Sequence, residues 1–193
     1  MSRRLARWCA GLLALPVAWP AAAAAQGALQ IDAAGSDAGF LLRTRWGQRL
    51  EGRFPVLSGE VRSLDGGRKQ VRLDLSTRDV EIVGNPRYSR LTRGEAFFDA
   101  GRHPHVVFVS EPFDETLVQA GGDLVGMLEI RGVQRREVFR IEPAGCERPV
   151  LDCPVVAAGT VDRGDYAMDR WGFALGERVE FRLALRGREA GTP

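Results

Sequence analysis

The chain has 193 residues, 45% of them hydrophobic, which suits one domain with a single sizeable core. Its formal charge of +2 depends on Arg3, Arg4 and Arg7 at the very start, for without these three, 24 basic residues face 25 acidic ones, a balance of −1. A net charge this close to zero removes the case for nucleic-acid binding, which calls for a strong basic excess.

In chain order, the first element is an export segment. Arg3, Arg4 and Arg7 form a basic head, Gly11 to Trp19 an apolar stretch, and Ala21 to Ala25 supply small residues for signal peptidase. A membrane anchor needs about 20 consecutive apolar residues, and Pro16 and Pro20 interrupt this one. Cys9 lies on the wrong side of the stretch for lipidation. Cleavage near Ala25 leaves residues 26–193 as one soluble periplasmic domain of 168 residues with no obvious linker or repeat.

Strands follow. Phe40, Leu42, Thr44 and Trp46 alternate with Leu41, Arg43 and Arg45, while Val71, Leu73 and Leu75 alternate with Arg72, Asp74 and Ser76. In Phe97 to Ser110, Pro104 denies a backbone donor and sets the chain extended, and Val106, Val107, Phe108 and Val109 supply strand-forming side chains. Leu124, Gly126, Leu128 and Ile130 share one face, as do Val179, Phe181, Leu183 and Leu185. Turn signals fall between such runs at Asp65-Gly66-Gly67, Asn85-Pro86 and Gly121-Gly122-Asp123. The pattern is all-β and fits either a sandwich or a closed barrel.

Catalytic chemistry is thin. His103 and His105 flank Pro104 as turn histidines without a Cys or Glu at ligand spacing, so no metal is expected. No nucleophile elbow, zinc-binding helix or phosphate loop occurs, and Asp99, Asp165 and Glu95 read as turn caps or ion-pair partners, Asp165 with Arg163 or a turn amide. A non-enzymatic protein without a cofactor is the expectation. Cys146 and Cys153, close in sequence and bound for an oxidising compartment, are expected to form a disulfide that pins one loop.

Three motifs give the chain a family resemblance. Phe97 to Ser110 places an aromatic pair, a small acidic turn, a His, a Pro and F-x-S in one stretch, Gly126 to Val133 reads G-x-L-x-I-x-G-V, and Arg163 to Met168 reads R-x-D-Y-A-M. Together with Ser36, Phe40, Gly52 and Phe54 upstream, these resemble the YceI-like family of secreted lipid-binding proteins over nearly everything after residue 28. The chain departs from the family pattern at Ala167, where Gly is usual, at Trp46, where a small residue stands, and at Thr44 and Arg136, where His and Pro are frequent.

The resemblance implies an eight-stranded, lipocalin-like antiparallel barrel with one short helical segment between about Pro86 and Ala100. It also implies an isoprenoid lipid, a polyprenyl species or an isoprenoid quinone, carried inside the barrel, with Phe40, Leu42, Trp46, Phe54, Phe97, Phe98, Phe108 and Leu128 as candidate lining residues. From the residues alone a filled core is equally open, because aromatics on a period-two face are ordinary core residues. The rival reading is accordingly a stress-response or structural barrel that acts through a protein partner. Arg87, Arg90 and Arg93 recur every third position along the expected helix, and Arg90 and Arg93 are candidates for gripping an anionic head group at the mouth. Transient membrane contact is compatible with such a carrier.

Overall fold

The computed structural model describes residues 28–189, so the expected export segment lies outside the described residues. Twelve strand segments run in chain order as β1 (Leu29–Ile31), β2 (Asp37–Thr44), β3 (Arg49–Arg53), β4 (Leu57–Ser63), β5 (Lys69–Ser76), β6 (Glu81–Ile82), β7 (His105–Ser110), β8 (Gly122–Ile130), β9 (Val133–Ile141), β10 (Val155–Asp162), β11 (Leu175–Leu185) and β12 (Gly187–Glu189). Two α-helices, α1 (Pro86–Arg93) and α2 (Thr116–Ala120), interrupt them. All strand pairs are antiparallel in the order β12-β1-β4-β5-β7-β8-β9-β10-β11-β2-β3-β6.

This order turns back on itself. β1 runs on into β2, β3 into β4, β5 into β6 and β11 into β12, so the twelve segments are eight strands, four of them bent. The strand built of β11 and β12 pairs with the one built of β1 and β2 along both segments, and the bend is stitched by Asp32 N donating to Arg186 O at 2.9 Å and Arg186 N to Ser36 Oγ at 2.9 Å. The sheet therefore curls until its ends share strands, which removes most exposed edge. The all-β antiparallel class is as expected, but the strand count differs, twelve segments standing where eight strands were expected, because bends that period-two alternation does not reveal break four of the runs.

The helical expectation needs one addition. Asn85 caps α1, its side chain accepting from Tyr88 N at 3.0 Å, and Pro86 occupies the first turn, where a missing N–H costs nothing. The helix stops at Arg93, short of Ala100, and the unforeseen α2 fills the β7–β8 connection.

Alternation places the core as expected. Phe40 and Leu42 of β2, Leu73 and Leu75 of β5, and Phe181 and Leu183 of β11 are buried inside. One seam in the wall is thin: β9 and β10 pair only at Ala157 with Ile141 and Ala158 with Arg140. Beyond it the strands part, and the short helical turn Arg163–Tyr166 fills the wedge. The inward face of β9 turns polar just there, where Arg135 Nε reaches Asp165 O at 3.4 Å and Glu137 accepts from Tyr166 Oη at 2.8 Å.

Candidate functional site

The barrel is not filled. A cavity of about 1190 Å³ occupies one end, walled by Leu73, Leu75, Phe108, Leu128, Phe139 and Leu183 and mouthed by the connections that carry α2 and the disulfide. A second cavity of about 240 Å³ opens at the opposite end, beneath α1. Between them lies an aromatic layer: Phe40 stands 5.6 Å from Phe54, 6.0 Å from Phe98 and 6.1 Å from Phe181, centroid to centroid. Phe181 belongs to both walls.

Two glycines seat rings of the large cavity's wall. A Cβ on Gly126 would lie 2.5 Å from the Phe108 ring, and one on Gly159 2.7 Å from that of Phe139. Each ring thus packs over a neighbouring strand at a position where no side chain stands. The two rings meet edge to face at 5.0 Å.

The candidate lining residues divide. Phe108 and Leu128 line the large cavity. Phe40, Leu42, Phe97 and Phe98 line the small one instead. Phe54 lines neither; it is core in the aromatic layer. Trp46 is a correction: β2 ends at Thr44, so the alternation that would carry Trp46 inward stops before it, and the side chain stands 77% exposed at the rim of the small cavity. Sequence reasoning missed the contribution of the loops, above all Leu117 of α2 and Val150 and Leu151 of the β9–β10 connection. Cys146 and Cys153 are joined, with Cα atoms 6.1 Å apart, and the pinned loop forms part of the large mouth.

The head-group arginines are also corrected. α1 covers the small cavity with Tyr88, Leu91 and Thr92, whereas Arg90 points to solvent and Arg93 Nε is spent on Val80 O at 2.8 Å. Neither borders the large mouth. There the charged lining is Lys69, Asp114, Glu115, Glu147, Arg148 and Glu189, with Lys69 3.9 Å from Glu115 and Arg148 bidentate on Asp152. His103 and His105 do not converge: His105 pairs with Asp74 at 2.5 Å, while His103 sits against Gly132.

The Arg163 to Met168 motif is structural. Arg163 does not pair with Asp165; it is 2% exposed and donates to the carbonyls of Gly176 at 2.8 Å, Arg170 at 2.9 Å and Met168. Burial holds its guanidinium below the usual arginine range. Ala167 adopts φ of 56°, the left-handed conformation that explains why a glycine is usual at its place. Tyr166 is fully buried, and burial, then the hydrogen bond to Glu137, push its phenol well above the ordinary value. The sign follows from that direction. Stability gained by keeping the phenol neutral is intact below about pH 10, where the unfolded tyrosine titrates, and is lost as pH rises beyond it. Tyr166→Phe is expected to cost about 1.5 to 3 kcal/mol at neutral pH yet to flatten the decline on the alkaline side, read from urea melts at a series of pH values.

The fold is an antiparallel β-barrel with a hollow, largely apolar interior. The chain belongs to the YceI-like domain family, whose match spans residues 29–186. Among curated proteins none matches in sequence. The fold is similar to Burkholderia cenocepacia BcnA, 17% identical with a TM-score of 0.65 over 80% of this chain and 98% of that one. It is also similar to a polyisoprenoid binding domain from Saccharophagus degradans implicated in plant cell wall breakdown, 15% identical, TM-score 0.61, covering 83% of this chain and 98% of that one. A Campylobacter jejuni YceI protein shares the fold at 17% identity and TM-score 0.55, over 71% of this chain and 84% of that one.

Proposed function

We propose that the chain is a periplasmic carrier or sequestering protein for an isoprenoid lipid, without chemistry on its cargo. The large apolar cavity is the observation that carries this reading. It exceeds the volume of pockets for compact small molecules, about 300 to 1,000 Å³, and so favours a long chain. Each buried CH₂ contributes about 0.8 kcal/mol, so a few isoprene units are held without any covalent step. The polyisoprenoid binding named for the Saccharophagus domain supports the same cargo class. Residues 1–25 and the disulfide support the periplasm. The hollow interior supports this reading over a filled barrel acting through a protein partner.

The mouth favours a neutral head. Four acids line it against two cations, and both cations already have acidic partners. We therefore place an isoprenoid quinone above a polyprenyl pyrophosphate. Native mass spectrometry after mild purification is expected to show a co-purifying mass in the isoprenoid range. In titrations at fixed salt, a neutral quinone should bind at least about tenfold more tightly than a pyrophosphate with the same tail, a gap of about 1.4 kcal/mol. Apo protein that takes up neither lipid would refute the reading.

A further inference from the structure

At the α1 end the surface carries an aromatic rim. Trp46 and Phe173 are 77% and 75% exposed, and Trp171, Tyr88 and Leu91 are each more than a third exposed. The rings of Trp171 and Phe173 lie 5.8 Å apart, and Trp46, Trp171, Tyr88 and Leu91 all border the mouth of the small cavity. Single exposed apolar residues are ordinary, but a contiguous apolar rim marks an interaction site.

The rim is held in place from both sides. Trp171 keeps φ of 73°, a conformation that costs a bulky residue and persists only when its surroundings impose it. Its carbonyl accepts from Ala174 N at 2.8 Å and Leu175 N at 2.9 Å, and Arg45 Nε donates to Gly172 O at 2.7 Å. Arg163 fastens the same loop from below through the carbonyls of Met168, Arg170 and Gly176.

The two ends of the barrel also differ in charge. The segments at the rim end, residues 43–49, 77–104, 131–135 and 162–178, hold thirteen arginines against eight acids. Those at the large mouth, residues 63–69, 111–121, 142–154 and 186–189, hold five basic residues against eight acids. Arg43, Arg49, Arg87, Arg90, Arg170 and Arg178 at the rim end have no acidic partner within salt-bridge distance among the described residues. The resulting field turns the rim, not the large mouth, toward a negative surface.

We infer that the rim is a docking surface for an anionic lipid bilayer. Indole and phenol rings settle at headgroup depth, where one edge is apolar and the other wet. Unpaired arginines around them meet lipid phosphates with a planar fork, and an anionic leaflet attracts each of them. The small cavity, apolar and open at the centre of the rim, then faces the acyl chains. No helix among the described residues is long and apolar enough to cross a membrane.

The tryptophans make the test direct. Residues 26–193, the domain left by the expected cleavage, hold only Trp46 and Trp171, so that domain fluoresces from the rim alone. With vesicles of phosphatidylglycerol and brominated phosphatidylcholine, that fluorescence is expected to shift blue and be quenched. Pure brominated phosphatidylcholine, or the variant carrying Arg87→Glu and Arg90→Glu, should lower the affinity by about tenfold or more, with the thermal midpoint unchanged. Vesicle binding without quenching would place the contact elsewhere and overturn the proposal, as would equal affinity for both vesicle types. The vesicles contain no isoprenoid, so either outcome leaves the identity of the cargo untouched.

Discussion

Leu128→Trp is expected to abolish isoprenoid uptake while leaving a folded β-barrel. Leu128 is buried on β8, opposite Phe108 in the β7–β8 pair, and its side chain meets the large cavity. In a filled core the added indole would force neighbours from their rotamers and cost about 1 to 3 kcal/mol. Here empty volume accepts it, so the loss of stability should stay below about 1 kcal/mol while the ligand loses its place. Displacing four CH₂ groups alone removes about 3 kcal/mol of binding, more than a hundredfold in affinity. Leu124→Trp, on the same face of the same strand, should act alike. Lipid titration and urea melts on the same samples separate the two quantities. Uptake unchanged in both variants, with circular dichroism intact, would exclude an interior site.

The strands were legible because a period of two is written directly in side-chain chemistry. Leu73 and Leu75, or Phe181 and Leu183, point inward in the structure as their alternation requires. Whether that interior is hollow was not legible, since the same alternation serves a solid core. The packing of its wall, Phe108 over Gly126 and Phe139 over Gly159, rests on contacts between strands that no single strand records. Trp46 departs from the pattern for a related reason: β2 ends at Thr44, and alternation has no meaning in the turn that follows. Arg90 and Arg93 share a helical side as their spacing demands, but spacing cannot say toward what that side turns, and Tyr88 and Leu91 take the cavity. In Arg163 to Met168 the family motif was legible and its partners were not, because the carbonyls that Arg163 holds depend on how the chain folds back from Met168 to Gly176.

Arg163→Met is expected to cost about 3 to 5 kcal/mol, because three carbonyls lose one buried charged donor at once, and hence a large part of the 5 to about 15 kcal/mol that holds such a domain together. The variant removes the guanidinium but leaves the carbonyls of Met168, Arg170 and Gly176 without their shared donor in a place with little water. Hydrogen bonds to a charged group contribute about 1.5 to 3 kcal/mol each, and they are lost together because one side chain makes all three. Lysine offers no rescue: its ammonium is a point donor on a flexible stem and cannot span carbonyls that a planar fork reaches from both edges. Arg163→Lys should therefore lie close to Arg163→Met in urea midpoint, and amide exchange should quicken first across residues 167–176, with vesicle quenching of Trp171 falling alongside as the rim loses its support. A lysine variant with the original midpoint would mean that charge alone, and not the three-carbonyl clamp, fixes the loop.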